Sequence, residues 1–204
     1  MHIYLKRKRS FFYSFARFLV IPFIKIFFYL KIEKKSEMPL YGRLIICANH
    51  SSLLDPILLS SIKSHQIHFM AKAELFKNFA FAAILKGLGA FSVTRGEQAT
   101  AALNTAQDIL KKEGIVGIFL EGTRSKDGTL LKPKSGAAML SYQTNTPILP
   151  VCIKRVNGGP VRIFHKTKIS VGTLIFPKKL QKINRSDLRE MSDAIMEQIA
   201  KMKN

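Results

Sequence analysis

Leu44-Ile45-Ile46-Cys47-Ala48 is an unbroken apolar run of strand length without alternation, and the chain changes character on both sides of it. Such a run fits a strand buried on both faces, although pattern alone also admits a short buried helix. A two-sided strand needs helices above and below it, which restricts the fold more than any other stretch does. Directly after it come Asn49-His50-Ser51-Ser52-Leu53-Leu54-Asp55-Pro56 and then Ile57-Leu58-Leu59. Asp before Pro is a good helix start, with Asp55 expected as N-cap and Pro56 at the first helical position.

His50 is thus expected to leave the end of a strand, and Asp55 to sit where the next helix begins. On one continuous helix a spacing of five would rotate the two side chains about 140° apart. Across a strand-to-helix turn they can meet. A carboxylate on one imidazole nitrogen fixes the tautomer and leaves the other nitrogen as a base near neutral pH. The alternative is that Asp55 only caps a helix and His50 is a loop residue.

Downstream, strand and helix signals alternate. Gln66 to Ala71, Ala90 to Val93, Ile115 to Leu120 and Pro147 to Ile153 read as strands. Glu74 to Lys86, Glu97 to Lys112 and Ser135 to Thr144 read as helices. This predicts an α/β fold with a mostly parallel central sheet covered by helices on both faces. Val161 to Phe164 and Lys168 to Val171 alternate as half-exposed strands. A last helix from Ser186 places Leu188, Met191, Ile195, Ile199 and Met202 on one face for docking against the body.

Four expected strands end in chemistry-bearing residues: His50, Lys72, Arg95, and the pair Glu121 and Arg124 within Phe119-Leu120-Glu121-Gly122-Thr123-Arg124-Ser125. Parallel strands bring those ends to one rim, where open α/β sheets put their ligands. Arginine offers a bidentate fork to phosphate. For any one of these charges a solvated side chain, or a surface Glu–Arg pair, is the plainer reading.

The balance of 33 basic against 13 acidic residues gives a net charge of +20, a field that attracts phosphates on nucleic acid, anionic lipid or a small substrate. The basic residues are spread out and no nucleic-acid module is readable, so no nucleic-acid partner is expected. Cys47 and Cys152 lie in apolar runs and read as buried thiols of a reducing compartment. No metal-ligand spacing is present, and no metal is expected.

Residues 1–39 differ from the rest. Lys6-Arg7-Lys8-Arg9 precedes Phe11 to Leu30, which holds seven of the chain's fifteen Phe. Its polar members Ser14, Arg17 and Lys25 fall within an arc of roughly 80° on a helix. Pro22 is expected to kink or split the segment. A cleaved signal peptide is disfavoured because Arg17 breaks the apolar region and no small-x-small site follows. For a spanning helix, thirteen Leu, Ile, Val and Phe gain about 0.3–0.6 kcal/mol each, and two central charges cost about 2.5–3.5 kcal/mol each. Those sums roughly cancel. Helices lying in the bilayer interface, with Phe side chains down, are favoured over spanning and over a soluble core helix.

The blocks Asn49 to Pro56, Ala71-Lys72-Ala73-Glu74-Leu75-Phe76 continuing to Gly89 to Gly96, Phe119 to Ser125, and Pro147-Ile148-Leu149-Pro150-Val151 together closely resemble the phosphate-acyltransferase family that includes 1-acylglycerol-3-phosphate acyltransferases. They cover roughly residues 40–155. Leu120 and Ser92 stand where the family often has Pro, which bears on loop shape and substrate preference but not on reacting groups.

The resemblance implies a glycerol-3-phosphate acyltransferase-like fold, with residues 1–39 as a membrane-associating helical segment and 40–204 as the acyltransferase domain. It implies His50 as general base, oriented by Asp55. Arg95, Glu121, Gly122, Thr123 and Arg124 would hold the acceptor phosphate, and Lys72 would support the oxyanion. Acyl-CoA or acyl carrier protein would be co-substrate, with no cofactor. The implied partners are a lysophospholipid acceptor and the bilayer, at the cytoplasmic face of the inner or plasma membrane. A non-catalytic membrane-surface module would need none of the four blocks, and a lipid hydrolase would need no acceptor-phosphate residues.

Overall fold

The computed structural model describes residues 11–34, 42–62, 65–72, 76–77, 82, 89–93 and 98–204, with the backbone alone at 11–12, 16, 72, 92–93 and 98–100. The leading basic run, Arg95 and most of the helix expected between Glu74 and Lys86 lie outside the described residues.

The chain runs α1 (Phe11–Phe27), β1 (Lys31–Lys34), β2 (Leu44–Ala48), α2 (Asp55–Leu59), β3 (Ile67–Lys72) and β4 (Phe91–Val93). It continues through α3 (Gln98–Lys111), β5 (Ile115–Phe119), α4 (Gly136–Thr144), β6 (Ile148–Arg155), β7 (Thr167–Val171) and α5 (Arg185–Lys203). Among the described residues the strands form one sheet in the order β1-β7-β6-β2-β5-β3-β4. Neighbouring strands run parallel throughout except β6 and β7.

β2 lies at the centre and is buried along its whole length. Leu44, Ile46 and Ala48 join one core with Ile24 and Phe28 of α1 and Leu58 and Leu59 of α2. Ile45 and Cys47 join a second core with Ala106 and Leu110 of α3, Leu140 of α4 and Ile195 and Ile199 of α5. The apolar run is therefore continuous because each of its sides meets a different helical layer. The expected stripe on the last helix (Leu188, Met191, Ile195, Ile199, Met202) is buried against the body. An Asn184–Asp187 capping box starts that helix. Cys47 and Cys152 are buried free thiols.

Three expectations are corrected. Lys31–Lys34 is a strand, although it falls in the segment expected to be helical. Its polar sequence gives no strand signal, but pairing with β7 and a Glu33–Lys168 contact of 2.6 Å hold it at the sheet edge. Val161 to Phe164 is a loop and not a strand, and Phe164 has φ +63°, which no strand residue adopts. Finally, of the kink or split expected at Pro22 the split is not made, because α1 continues through that residue as one helix.

α1 docks by Tyr13, Ile24 and Phe28, and leaves Phe18, Leu19, Phe23 and Ile26 exposed. Its expected polar arc does not face solvent as a unit. Lys25 is exposed, whereas Arg17 is half-buried and donates to the carbonyl of Ser60 at the end of α2. Among the described residues no helix is long and apolar enough to cross a membrane.

Candidate active site

Because β2, β5, β3 and β4 are adjacent and parallel, their carboxyl ends lie along one edge of the sheet. His50 follows the end of β2, and Glu121 to Ser125 follow the end of β5. The backbone of Lys72 ends β3, but its side chain lies outside the described residues, as does Arg95.

His50 Nδ1 lies 2.8 Å from Asp55 Oδ2. Asp55 is fully buried, and the same oxygen accepts the N–H groups of Ser51 at 2.7 Å and Ser52 at 2.8 Å. Asp55 is the first residue of α2 and not its N-cap. Leu54 holds the cap position without a side-chain hydrogen bond. The carboxylate turns backward because the His50–Ser52 turn offers it one imidazole and two amide donors, and Pro56 removes one donor from the helix start.

Nδ1–H donating to a carboxylate leaves Nε2 of neutral His50 as the proton acceptor. The imidazole lies flat on the Phe119 ring, with centroids 3.9 Å apart and planes 14° from parallel, and Phe119 stacks in turn on Phe69 at 5.8 Å. Gly117 makes this stack possible, since a β-carbon there would come within 2.2 Å of the Phe69 ring. With 17% of its side-chain surface accessible, His50 is shielded yet reachable.

The backbone of His50 is clamped by the Glu121–Ser125 turn. Its N–H donates to Glu121 Oε1 at 3.1 Å, and its carbonyl accepts from the Ser125 N–H at 2.8 Å. Glu121 Oε2 accepts the Leu131 N–H at 3.1 Å. This corrects the expected role of Glu121. The carboxylate is buried and both its oxygens accept backbone N–H groups, so it ties the His50 turn to the Leu131 backbone and is not turned out with Gly122, Thr123 and Arg124. Burial pushes its carboxyl pKa up, while the His50 and Leu131 amides pull it down.

Gly122, Thr123 and Arg124 are exposed on the same turn, Gly122 with φ +69°. Among the described residues Arg124 forms no ion pair, so the plainer alternative of a surface Glu121–Arg124 pair is not made.

Asn49 carries a role that sequence reasoning missed. It is buried, and its amide exchanges two 2.8 Å hydrogen bonds with the backbone N–H and carbonyl of Ile153 on β6. Elsewhere, His68 Nδ1 lies 3.1 Å from the Gly89 carbonyl, and His165 Nδ1 lies 3.0 Å from that of Ile163.

The carboxyl rim of this mixed sheet thus carries a shielded His–Asp pair on the turn after β2 and an exposed Gly-Thr-Arg turn after β5. The family model described as Acyltransferase matches residues 29–154, and the chain belongs to that family. A 1-acyl-sn-glycerol-3-phosphate acyltransferase of Bacillus subtilis (strain 168) is 30% identical over 182 residues, which cover 86% of this chain and 88% of that protein. A 1-acyl-sn-glycerol-3-phosphate acyltransferase beta of Homo sapiens is 31% identical over 62% of this chain and 48% of its own length. In fold, the chain matches the crystal structure of the 1-acyl-sn-glycerophosphate (LPA) acyltransferase PlsC from Thermotoga maritima. The TM-score is 0.67 at 24% identity, over 97% of this chain and 84% of that one.

Proposed function

We propose that this enzyme moves a fatty acyl group from the thioester of acyl-CoA or acyl carrier protein to the free hydroxyl of lysophosphatidic acid, giving phosphatidic acid for phospholipid biosynthesis. The observation that carries the reading is the single Asp55 oxygen holding both His50 Nδ1 and the turn that presents it. His50 Nε2 takes the hydroxyl proton as the oxygen attacks the thioester carbonyl. The buried Asp55 carboxylate offsets the charge that develops on the imidazolium. As the tetrahedral adduct collapses, the C–S bond breaks, and the imidazolium returns the proton to the leaving thiolate. No acyl-enzyme forms on this route.

Arg124, with the Gly122 and Thr123 backbone, receives the acceptor phosphate, and Arg95 adds a second cation to it. Lys72 supports the oxyanion. The exposed Phe18, Leu19, Phe23 and Ile26 of α1 rest in the interfacial layer of the membrane, on its cytoplasmic face, which keeps the rim beside an acceptor that lives in the bilayer.

The test is purified protein with a labelled acyl donor, supplied in turn as the CoA and carrier-protein thioester, against a panel of lysophospholipids and glycerol 3-phosphate. Products are separated by mass. Labelled phosphatidic acid as the main product supports the reading. Transfer to glycerol 3-phosphate or to water in preference would overturn it.

A further inference from the structure

The loop between β6 and β7, residues 156–166, is fastened at Val161 and at Phe164, and carries Arg162 and Ile163 between them. Val161 is buried, and its N–H donates to Ser51 Oγ at 3.3 Å, one residue from the catalytic histidine. Three residues later the Phe164 N–H donates to the Phe27 carbonyl at 2.7 Å, and the Thr167 N–H donates to that of Phe28 at 2.9 Å. The segment therefore bridges the His50 turn and α1.

Phe164 is unfavourably placed twice over in the free protein. Its backbone sits at φ +63°, where Gly or Asn is at ease and a bulky aromatic residue is strained. Its side chain is nevertheless 66% exposed, and Ile163 beside it is 40% exposed. The ring extends a row that begins on α1. Phe23 stacks on Phe27 at 4.0 Å, and Phe27 meets Phe164 at 5.3 Å. The exposed apolar face of α1 thus continues onto the loop. Lys25 on α1 and Arg162 and Lys166 on the loop are exposed beside it in sequence, and residues 156–166 contain no carboxylate.

We infer that residues 162–166 form a second bilayer-contacting element, with Ile163 and Phe164 entering the acyl–headgroup boundary of an anionic lipid surface. Arg162 and Lys166 lie on the headgroup phosphates. The inference rests on the membrane reading of α1 given above. Charge selects lipid over a second copy of this chain, because two copies at +20 each would bring basic rims together. Since Val161 is bonded to Ser51, this loop also fixes the height of His50 over the lipid surface.

The test is co-sedimentation of the full chain with vesicles of phosphatidylcholine alone and of phosphatidylcholine mixed with phosphatidylglycerol, paired with thermal melts and sedimentation velocity. The variants are Phe164→Asn, Ile163→Ser, Arg162→Gln and, on α1, Phe18→Ser. Phe164→Asn removes the ring and suits the backbone. It is expected to lose about tenfold or more in vesicle affinity, the scale of one aromatic ring staying in water, with an unchanged or higher melting midpoint. Ile163→Ser, which carries no backbone strain, gives the same direction if the Asn variant folds poorly. Arg162→Gln weakens binding on the mixed vesicles only.

If Phe18→Ser weakens binding while both loop variants bind like the wild type, only α1 meets lipid and the inference fails while the membrane reading stands. If the wild type binds neither vesicle, the membrane reading and the inference fall together. Self-association that Phe164→Asn abolishes, with vesicle binding intact, gives the surface to a second copy and overturns the inference.

Discussion

Asp55 reaches back five residues to His50, with Oδ2 2.8 Å from Nδ1, while the same oxygen gathers the N–H groups of Ser51 and Ser52. One atom thus sets both the tautomer of the base and the shape of the turn that carries it. This arrangement separates charge from geometry, because an Asn at 55 with its oxygen in the same place can still accept from the imidazole and from the two amides.

Asp55→Asn is therefore expected to fold normally, with its amide oxygen in the place of Oδ2, and to lose about 10²-fold or more in kcat because no carboxylate charge remains to offset the imidazolium. His50→Ala should remove activity by at least about 10²–10⁴-fold while lysolipid binding is largely kept. Steady-state kinetics beside equilibrium binding of a lysolipid check both. Equal loss of binding in His50→Ala would make the imidazole a substrate anchor.

Glu121 and Arg124 sit on one turn but face opposite ways, so their variants should fail differently. Arg124→Ala is expected to raise the KM for the phosphate-bearing acceptor with little change in kcat, because an exposed cation that meets only the substrate contributes uniform binding. Glu121→Ala strips the acceptor from two backbone amides in a buried site, and should cost about 2–4 kcal/mol of stability and lower kcat. A pure KM effect in Glu121→Ala, with full stability, would return that carboxylate to the substrate.

The support beneath the base can be probed without touching it. A β-carbon at Gly117 would lie 2.2 Å from the Phe69 ring, which stacks on Phe119 under His50. Gly117→Ala should cost about 1–3 kcal/mol by overpacking. The displaced rings should also lower kcat more than they change the acceptor KM. Denaturant melts and kinetics on the same sample test the coupling, and a loss of stability with kcat untouched would show the stack to be packing only.

What could be read from the chain follows from how local each signal is. The β2 run, the stripe on α5 and the five-residue reach from His50 to Asp55 are encoded by neighbours in sequence, and the structure places them as expected. The inward turn of Glu121 was hidden because its partners are backbone amides of His50 and Leu131, which carry no residue-type signal. Asn49 pairs with a backbone unit 104 positions away, beyond any local pattern. The alternation Val161-Arg162-Ile163-Phe164 suggested a strand, yet hydrogen bonds to Ser51 and Phe27 outweigh that propensity. Lys31–Lys34 shows the converse, a polar segment made into a strand by its partner β7.

A pH dependence follows from Asp127, which is bonded to Ser125. The Thr129 N–H at 2.9 Å, the Thr129 hydroxyl at 2.7 Å and the Ser125 hydroxyl at 2.9 Å all donate to one carboxylate oxygen. Led by the Thr129 N–H, these bonds lower its pKa from 3.8 to about 2. Because the folded state favours the ionised form, the stabilisation is complete above the unfolded carboxyl's value and is lost as pH falls through about 2. Wild type should therefore lose stability against Asp127→Asn between about pH 4 and pH 2. Ser125 also donates its N–H to the His50 carbonyl, so protonation of Asp127 is expected to speed amide exchange at Ser125. Denaturant melts across that window, with amide exchange read at Ser125, test the claim. A stability difference that stays constant with pH would mean that Asp127 is not bonded in this way.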